Sequence, residues 1–401
     1  MLFEKGVVLA SVQDFTIEKY HESEVTDLQM DVPHSRIAYF VSPHGFGHAA
    51  RAAAVMAAIQ RIDGSIHFDI FTKVPLWFFQ DSLSGPFSYH PLLTDIGLVQ
   101  ETPLDEDIPT TVHRLNDFLP FNPSLIAGLA EEVLRLNCEL VLCDIAAMGI
   151  VAAREAGVPS VLVENFTWDW IYQGYTKLET GLNKHVAYLQ GVYDAADYRV
   201  QTEPVCVSHA ADLATLPVSR TVRTPREEIR RRLGIPQDAQ VVMVTMGGIQ
   251  GEYNFLRELT RERDVFFVIL GGSSAKEVWE NLVLLPHHSN FFHPDLMSAS
   301  NVVIGKVGYS TLAEVYHAGV PFGYVTRTHF VESEILSSYI ERHMSGLAIE
   351  ESHFQDGYWI SHLQDLCSFA RIERKGPNGS EQVARFILSI LPHSSRFITS
   401  L

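Results

Sequence analysis

The chain has 401 residues and carries 48 acidic against 30 basic side chains. The resulting formal net charge of −18 excludes a nucleic-acid coat or an anionic membrane surface as main partner, because both recruit clustered Lys and Arg. A hydrophobic share of 46% with 19% charged residues excludes dominant disorder, and the length suits two domains of similar size.

Residues 1–31 read as a polar extension. Their short apolar run is too weak for a signal peptide. No later apolar run approaches the roughly 18 residues that a membrane helix needs. The four cysteines lack a CxxC spacing and read as free thiols of a reducing, cytoplasmic compartment.

An alternation of strand and helix then begins, and residues 32–206 read as a first Rossmann-like domain. IAYFV (37–41) is a strand, 48–62 an Ala-rich helix and IHFDIFT (66–72) a strand. Residues 123–137 form a helix, ELVLCD (139–144) a strand, 145–157 a helix and SVLVEN (160–165) a strand. Apolar strands separated by amphipathic helices predict a parallel sheet covered on both faces. Residues 207–225 break the rhythm with Pro217 and Pro225 and read as a linker. In 226–401 the alternation restarts, with strands at 240–246, 265–272, 301–306 and 320–325 and helices at 227–234 and 310–319. The expectation is an α/β chain of two doubly wound halves, with ligands beyond the carboxyl ends of the strands.

The residues with chemistry cluster at strand ends. After the first strand comes SPHGFGHAAR (42–51). Gly45 and Gly47 permit a tight turn, and 45–50 fits the dinucleotide pattern GxGxxA. That pattern does not require His44 or His48. His48 reads either as a titratable group at a helix start or as a packed, capping histidine. Asp144 ends another strand of the same half, where it can hold an imidazole, cap the next helix, or do both. In the second half, Gly305-Lys306 ends a strand, and Gly308, Tyr309, Ser310 and Thr311 open a helix whose amides and dipole favour a phosphate. Glu314, one turn on, is placed to grip ribose hydroxyls or to complete a capping box. A glycine turn at 246–251, containing Gly247 and Gly248, can set amides against a diphosphate. Asp105-Glu106-Asp107 reads as a solvated loop rather than a metal site, and no metal or cofactor is expected.

Together these motifs resemble the GT-B glycosyltransferases, including the peptidoglycan N-acetylglucosaminyltransferase, the plant UDP-glycosyltransferases and the glycosyltransferase-like N-terminal region of plant L-arabinokinase. HGFGHA, GKVGYSTLAE and an aromatic-and-acid segment at 328–334 carry the likeness, which spans about residues 36–360. It implies two Rossmann-like domains facing across a cleft. A nucleoside-diphosphate sugar, UDP by analogy, would lie on Gly247, Gly248 and 308–314. His48 would be the base that deprotonates an acceptor hydroxyl, Asp144 its supporting acid, and the transfer inverting and metal-independent. Lys306 or Arg327 would meet the leaving diphosphate, and Glu332 or Glu334 the sugar or ribose. A Trp-rich donor box and a terminal Asp-Gln pair of the plant enzymes are missing, and the sequence has no galactokinase-like region, so kinase activity is not implied.

Three other readings fit the same residues. One is an epimerase or hydrolase of sugar nucleotides, one a non-catalytic sugar-nucleotide-binding protein, and one an NAD-dependent oxidoreductase built on GxGxxA. The last expects an acid at the end of strand 66–72, whereas Asp69 lies inside it. The aromatic stretches at 73–122 and 164–185 serve equally as acceptor-stacking surface, hydrophobic cover or homodimer contact.

Overall fold

The computed structural model describes residues 35–100, 106–247, 253–327 and 330–391, so the N-terminal extension, Asp105, Gly248 and Thr328 lie outside the described residues. The apolar runs expected as strands are strands because each is buried on both faces. The first sheet contains β1 (Arg36–Val41), β2 (His67–Thr72), β3 (Phe87–Pro91), β4 (Cys138–Asp144), β5 (Ser160–Glu164), β6 (Tyr198–Thr202) and β7 (Leu213–Thr215), in the order 3-2-1-4-5-6-7 and all parallel. The second contains β8 (Gln240–Thr245), β9 (Val265–Leu270), β10 (Glu277–Trp279), β11 (Leu282–Leu285), β12 (Val302–Lys306), β13 (Phe322–Val325) and β14 (Gly346–Ile349), in the order 10-11-9-8-12-13-14. Only β10, at the edge, runs antiparallel.

Each sheet has one place where the winding reverses, between β1 and β4 in the first and between β8 and β12 in the second. There the loops leaving adjacent strands diverge to opposite faces and open a crevice. His48 follows β1 and Asp144 ends β4, with Val41 beside Asp144 in register. Gly247 follows β8 and Lys306 ends β12. Both crevices therefore carry the residues singled out above.

Two boundaries differ from the sequence reading. The stretch 207–225 is not only a linker, since it contains β7. The last helix, Gly379–Ile390, does not belong to the second half. Its Val383, Ala384 and Ile387 are buried against the first helix, Phe46–Ile62, in the core of the first sheet. The helix has a strongly one-sided apolar face, and that face finds its partner only after the chain crosses back. Periodicity shows that a face exists, not which lobe covers it.

A close approach fixes the floor of the second crevice. Gly305 on β12 lies against β8, and a Cβ there would overlap the carbonyl oxygen of Thr245. Gly305→Ala is expected to force the central strands apart and lower stability by about 2 kcal/mol. A urea midpoint equal to the parent's counts against that expectation.

Candidate active site

The site is built around two helix starts. The helix Phe46–Ile62 begins after Gly45, whose φ of 70° with ψ −175° is a backbone conformation that glycine alone adopts readily. The helix Tyr309–Ala318 begins after Gly308. Neither has a side-chain cap or an acid in its first turn, so their leading N–H groups have no intrahelical or capping partner. The two starts meet: a Cβ on Gly47 would lie 3.6 Å from Ser310 Oγ. Between the lobes they open onto one cavity of about 530 Å³.

His48 lines this cavity and is buried. Its Nδ1 lies 2.9 Å from Asp144 Oδ1. Arg51 Nη2 is also within 3.4 Å of that nitrogen, but it sits 2.6 Å from Asp144 Oδ1 and directs its proton there. Nδ1–H therefore donates to Asp144, and Nε2 is the nitrogen left to accept a proton. Asp144 itself stands behind His48, wholly buried. Burial would raise its carboxyl, but the adjacent Arg51 guanidinium and the hydrogen bonds from Arg51 and His48 outweigh that and hold it below the usual carboxylate range. Ile145, the next residue, has φ 47°, a strained value for a β-branched side chain. Tyr193 donates to its carbonyl at 2.7 Å and helps hold that turn.

The opposite wall sets basic side chains among carboxylates. Lys306 lies at the end of β12, where burial, and then the charge of Arg327, push its ammonium down to about 7. Arg327 stacks its guanidinium 3.4 Å from the centre of the Phe330 ring and donates to Glu106 at 3.5 Å. Glu106 was expected in a solvated loop, yet its side chain is enclosed against this arginine, while Asp107 caps the following helix through Thr110 N at 2.9 Å. Glu314 is buried with one oxygen on Arg220 Nε at 2.9 Å and the other on His293 Nδ1 at 2.8 Å. Each oxygen keeps a second lone pair, so a ligand hydroxyl can add without displacing either partner. Glu332 is buried and accepts from Asn165 Nδ2 at 2.9 Å across the lobes. His44 lines the same space; burial and then the neighbouring His48, Arg327 and Lys306 lower its imidazole to about 3 and keep it neutral.

The fold thus gathers His44, Gly45, Gly47, His48, Gly247, Lys306, Gly308, Tyr309, Ser310, Thr311, Glu314, Arg327 and Glu332 around one cavity. Glu334 is the exception. It is exposed, two positions past Glu332 on the helix Glu332–His343, and is not part of the cavity wall. A step of two residues turns a helix by about 200°, so two neighbouring acids cannot both face inward. Tyr309 does double duty. It lines the cavity, and its hydroxyl also accepts from Val218 N at 3.0 Å while Arg51 lies 4.8 Å from its ring centre. Asp69 is clamped by Arg36 at 2.8 Å and His90 at 3.0 Å, which leaves no acid at the end of β2 for a nicotinamide ribose.

Sequence reasoning missed Arg51, Asn165, Arg220 and the seam formed by His287 and His288. Trp77 stacks on His288 at 4.0 Å, and His288 meets Asp81 at 2.9 Å. Arg51 had a signal in the sequence, since it stands one turn after His48 and so shares its helix face. The others became visible only when the lobes met. Among the described residues no helix is long and apolar enough to cross a membrane.

No family model matches the chain. It is 27% identical to L-arabinokinase of Arabidopsis thaliana over 96% of this chain, but spans 39% of that protein's length. It is 25% identical to the uncharacterized glycosyltransferase MK0977 of Methanopyrus kandleri, over 64% of this chain and 77% of that one. Among solved structures, Arabidopsis thaliana UGT89C1 complexed with UDP-L-rhamnose superposes with a TM-score of 0.59 at 11% identity, covering 89% of this chain and 99% of that one. The fold is GT-B, with two Rossmann-like sheets facing across the cleft, and the sequence relatives include a glycosyltransferase.

Proposed function

We propose that this GT-B chain is a glycosyltransferase that moves a sugar from a nucleoside-diphosphate sugar, UDP by its relatives, to an acceptor hydroxyl with inversion. One observation carries the reading. A His–Asp pair and an uncapped helix start open on the same cavity from opposite lobes. The diphosphate lies at the start of the helix Tyr309–Ala318, where Ser310, Thr311, Lys306 and Arg327 add donors and charge. The acceptor enters beside His48. As its oxygen attacks the anomeric carbon, Nε2 takes the hydroxyl proton, the C–O bond to the diphosphate breaks, and the negative charge moves onto amides and cations already in place. Asp144 stabilises the imidazolium through Nδ1–H. No metal is required by this scheme, because fixed cations and helix dipoles occupy the role that a divalent ion would otherwise fill.

Thermal denaturation of the full chain with UDP, UDP-sugars and NAD tests the reading. UDP and its sugars are expected to stabilise, by about 2.7 kcal/mol at a hundred times the dissociation constant, and NAD to have no effect. Absence of stabilisation by any nucleoside diphosphate overturns it. Donor incubated without acceptor separates transfer from hydrolysis or epimerisation, since only the latter two consume donor alone.

UDP binding also carries a pH signature. With its ammonium near 7 in the free protein, Lys306 is charged below that pH and largely neutral above it. A bound diphosphate favours the charged form, so binding above pH 7 takes up a proton. Affinity is expected to fall about tenfold between pH 7 and 8.5. Isothermal titration in buffers of different ionisation enthalpy reads the proton directly, and zero uptake at pH 8 contradicts the assignment.

A further inference from the structure

His48 and Asp144 do not form an isolated pair. Arg51, one turn beyond His48 and only 1% exposed, forks onto both oxygens of Asp144, with Nε 2.8 Å from Oδ2 and Nη2 2.6 Å from Oδ1. Its remaining nitrogen, Nη1, donates to Asn165 Oδ1 at 2.7 Å and reaches Thr202 Oγ1 at 3.4 Å. Asn165 turns its amide nitrogen to Glu332 on the other lobe at 2.9 Å. The amide orientation follows from charge, because its oxygen faces a cation and its nitrogen faces a carboxylate. A single hydrogen-bonded line therefore runs from His48 through Asp144, Arg51 and Asn165 to Glu332.

We propose that Arg51 is a positioning residue for the His48 base: its fork locks the Asp144 carboxylate in the one orientation that receives Nδ1–H. The proposal rests on the glycosyltransferase reading for its kinetic consequence, but not for its structural one.

The physical case is geometric. An imidazole left to itself in water exchanges between two neutral tautomers, and only the Nδ1–H form presents a basic Nε2 to the cavity. Asp144 selects that form if one oxygen stays within 2.9 Å of Nδ1. A carboxylate held by a single partner can rotate about its last torsion, which is a broad one. The planar guanidinium removes that freedom by taking both oxygens in a fork that a lysine cannot reproduce. The Arg51 cation also keeps Asp144 ionised despite complete burial.

Two readouts test this on the full chain. Long-range proton–nitrogen spectra recorded at pH 9 report the tautomer of each of the 18 histidines, and the signal lost in His48→Gln identifies His48. In the parent His48 is expected as the Nδ1–H form, and in Arg51→Gln as a mixture of both. Initial rates with a UDP-sugar donor then separate kcat from KM. Arg51→Gln is expected to lose about tenfold or more in kcat with donor KM within about threefold, and Arg51→Lys to recover part of the loss. Asn165→Ala, which leaves the fork in place, is expected to keep the Nδ1–H form. If Arg51→Gln does not fold, Arg51→Lys alone decides: a tautomer and kcat equal to the parent's show that the fork is dispensable and overturn the proposal. A parent-like tautomer in a folded Arg51→Gln overturns it too, as does an Asn165→Ala variant as disturbed as Arg51→Gln. Failure of UDP to bind strikes the transferase reading and leaves the tautomer result standing, so the two failures are distinguishable.

Discussion

His48→Ala is expected to bind UDP as tightly as the parent and to lose turnover by about 100-fold or more. The expectation follows from where the ring sits. Nδ1 is committed to Asp144, which leaves Nε2 as the nitrogen proposed to meet the acceptor, while the groups assigned to the diphosphate belong to the other lobe. Removing the ring deletes the proton acceptor and leaves the donor cradle intact. The loss is therefore expected in kcat, with little change in donor KM or in stabilisation by UDP. His44 is the nearest substitute, but burial among cations holds its imidazole at about 3, which makes it a poor base. Turnover measured as UDP release in the presence of acceptor checks this. A variant that turns over at the parent rate removes His48 from the chemistry, and one that no longer binds UDP moves it to the donor site.

Asp144→Asn is expected to be the most destabilising substitution at the site, by about 3 kcal/mol. The side chain keeps its shape, so the cost is electrostatic. Arg51, only 1% exposed, would lose the charge that offsets its own burial. Urea denaturation measures the loss. A double variant, Arg51→Met with Asp144→Asn, is expected to regain part of it because no uncompensated cation remains. The effect of pH has a definite sign. The folded carboxyl of Asp144 is depressed, so its stabilisation is fully present above the unfolded value of about 4. It is lost as pH falls through the lower folded value. Parent and Asp144→Asn curves are thus expected to differ most near neutrality and to converge below pH 4. A gap that persists undiminished at pH 2 would mean that packing, not charge, is what the carboxylate supplies.

The tightly buried strands were legible in the sequence because burial on both faces writes itself as an unbroken apolar run, as in β1, β4 and β12. The half-buried or short strands were not. β3 carries His90 and Pro91 with intermediate exposure throughout most of its length, and β7 is three residues long and stops just before Pro217. Their place in the sheet comes from a neighbour already formed, not from a local preference. The same division runs through the site. The turns around Gly45 and Gly308 and the residues beside them could be read because a glycine before a helix start has a local physical meaning. Glu334 was misplaced because two acids two positions apart look equivalent in a string and are on opposite sides of a helix.

By itself the sequence determined an alternating α/β chain of two lobes and two helix starts that follow a glycine at a strand end, one with a histidine and one with a lysine beside it. These are local properties, fixed by periodicity and backbone freedom over a dozen residues. The tertiary structure alone decided that both starts open on one cavity, since that depends on the strand order reversing at β1/β4 and again at β8/β12. It alone placed the helix Gly379–Ile390 on the first lobe, and it alone linked His48 to Glu332 through Arg51 and Asn165. Those contacts join residues more than ninety positions apart, and an apolar face or a charged tip carries no record of which distant partner will satisfy it.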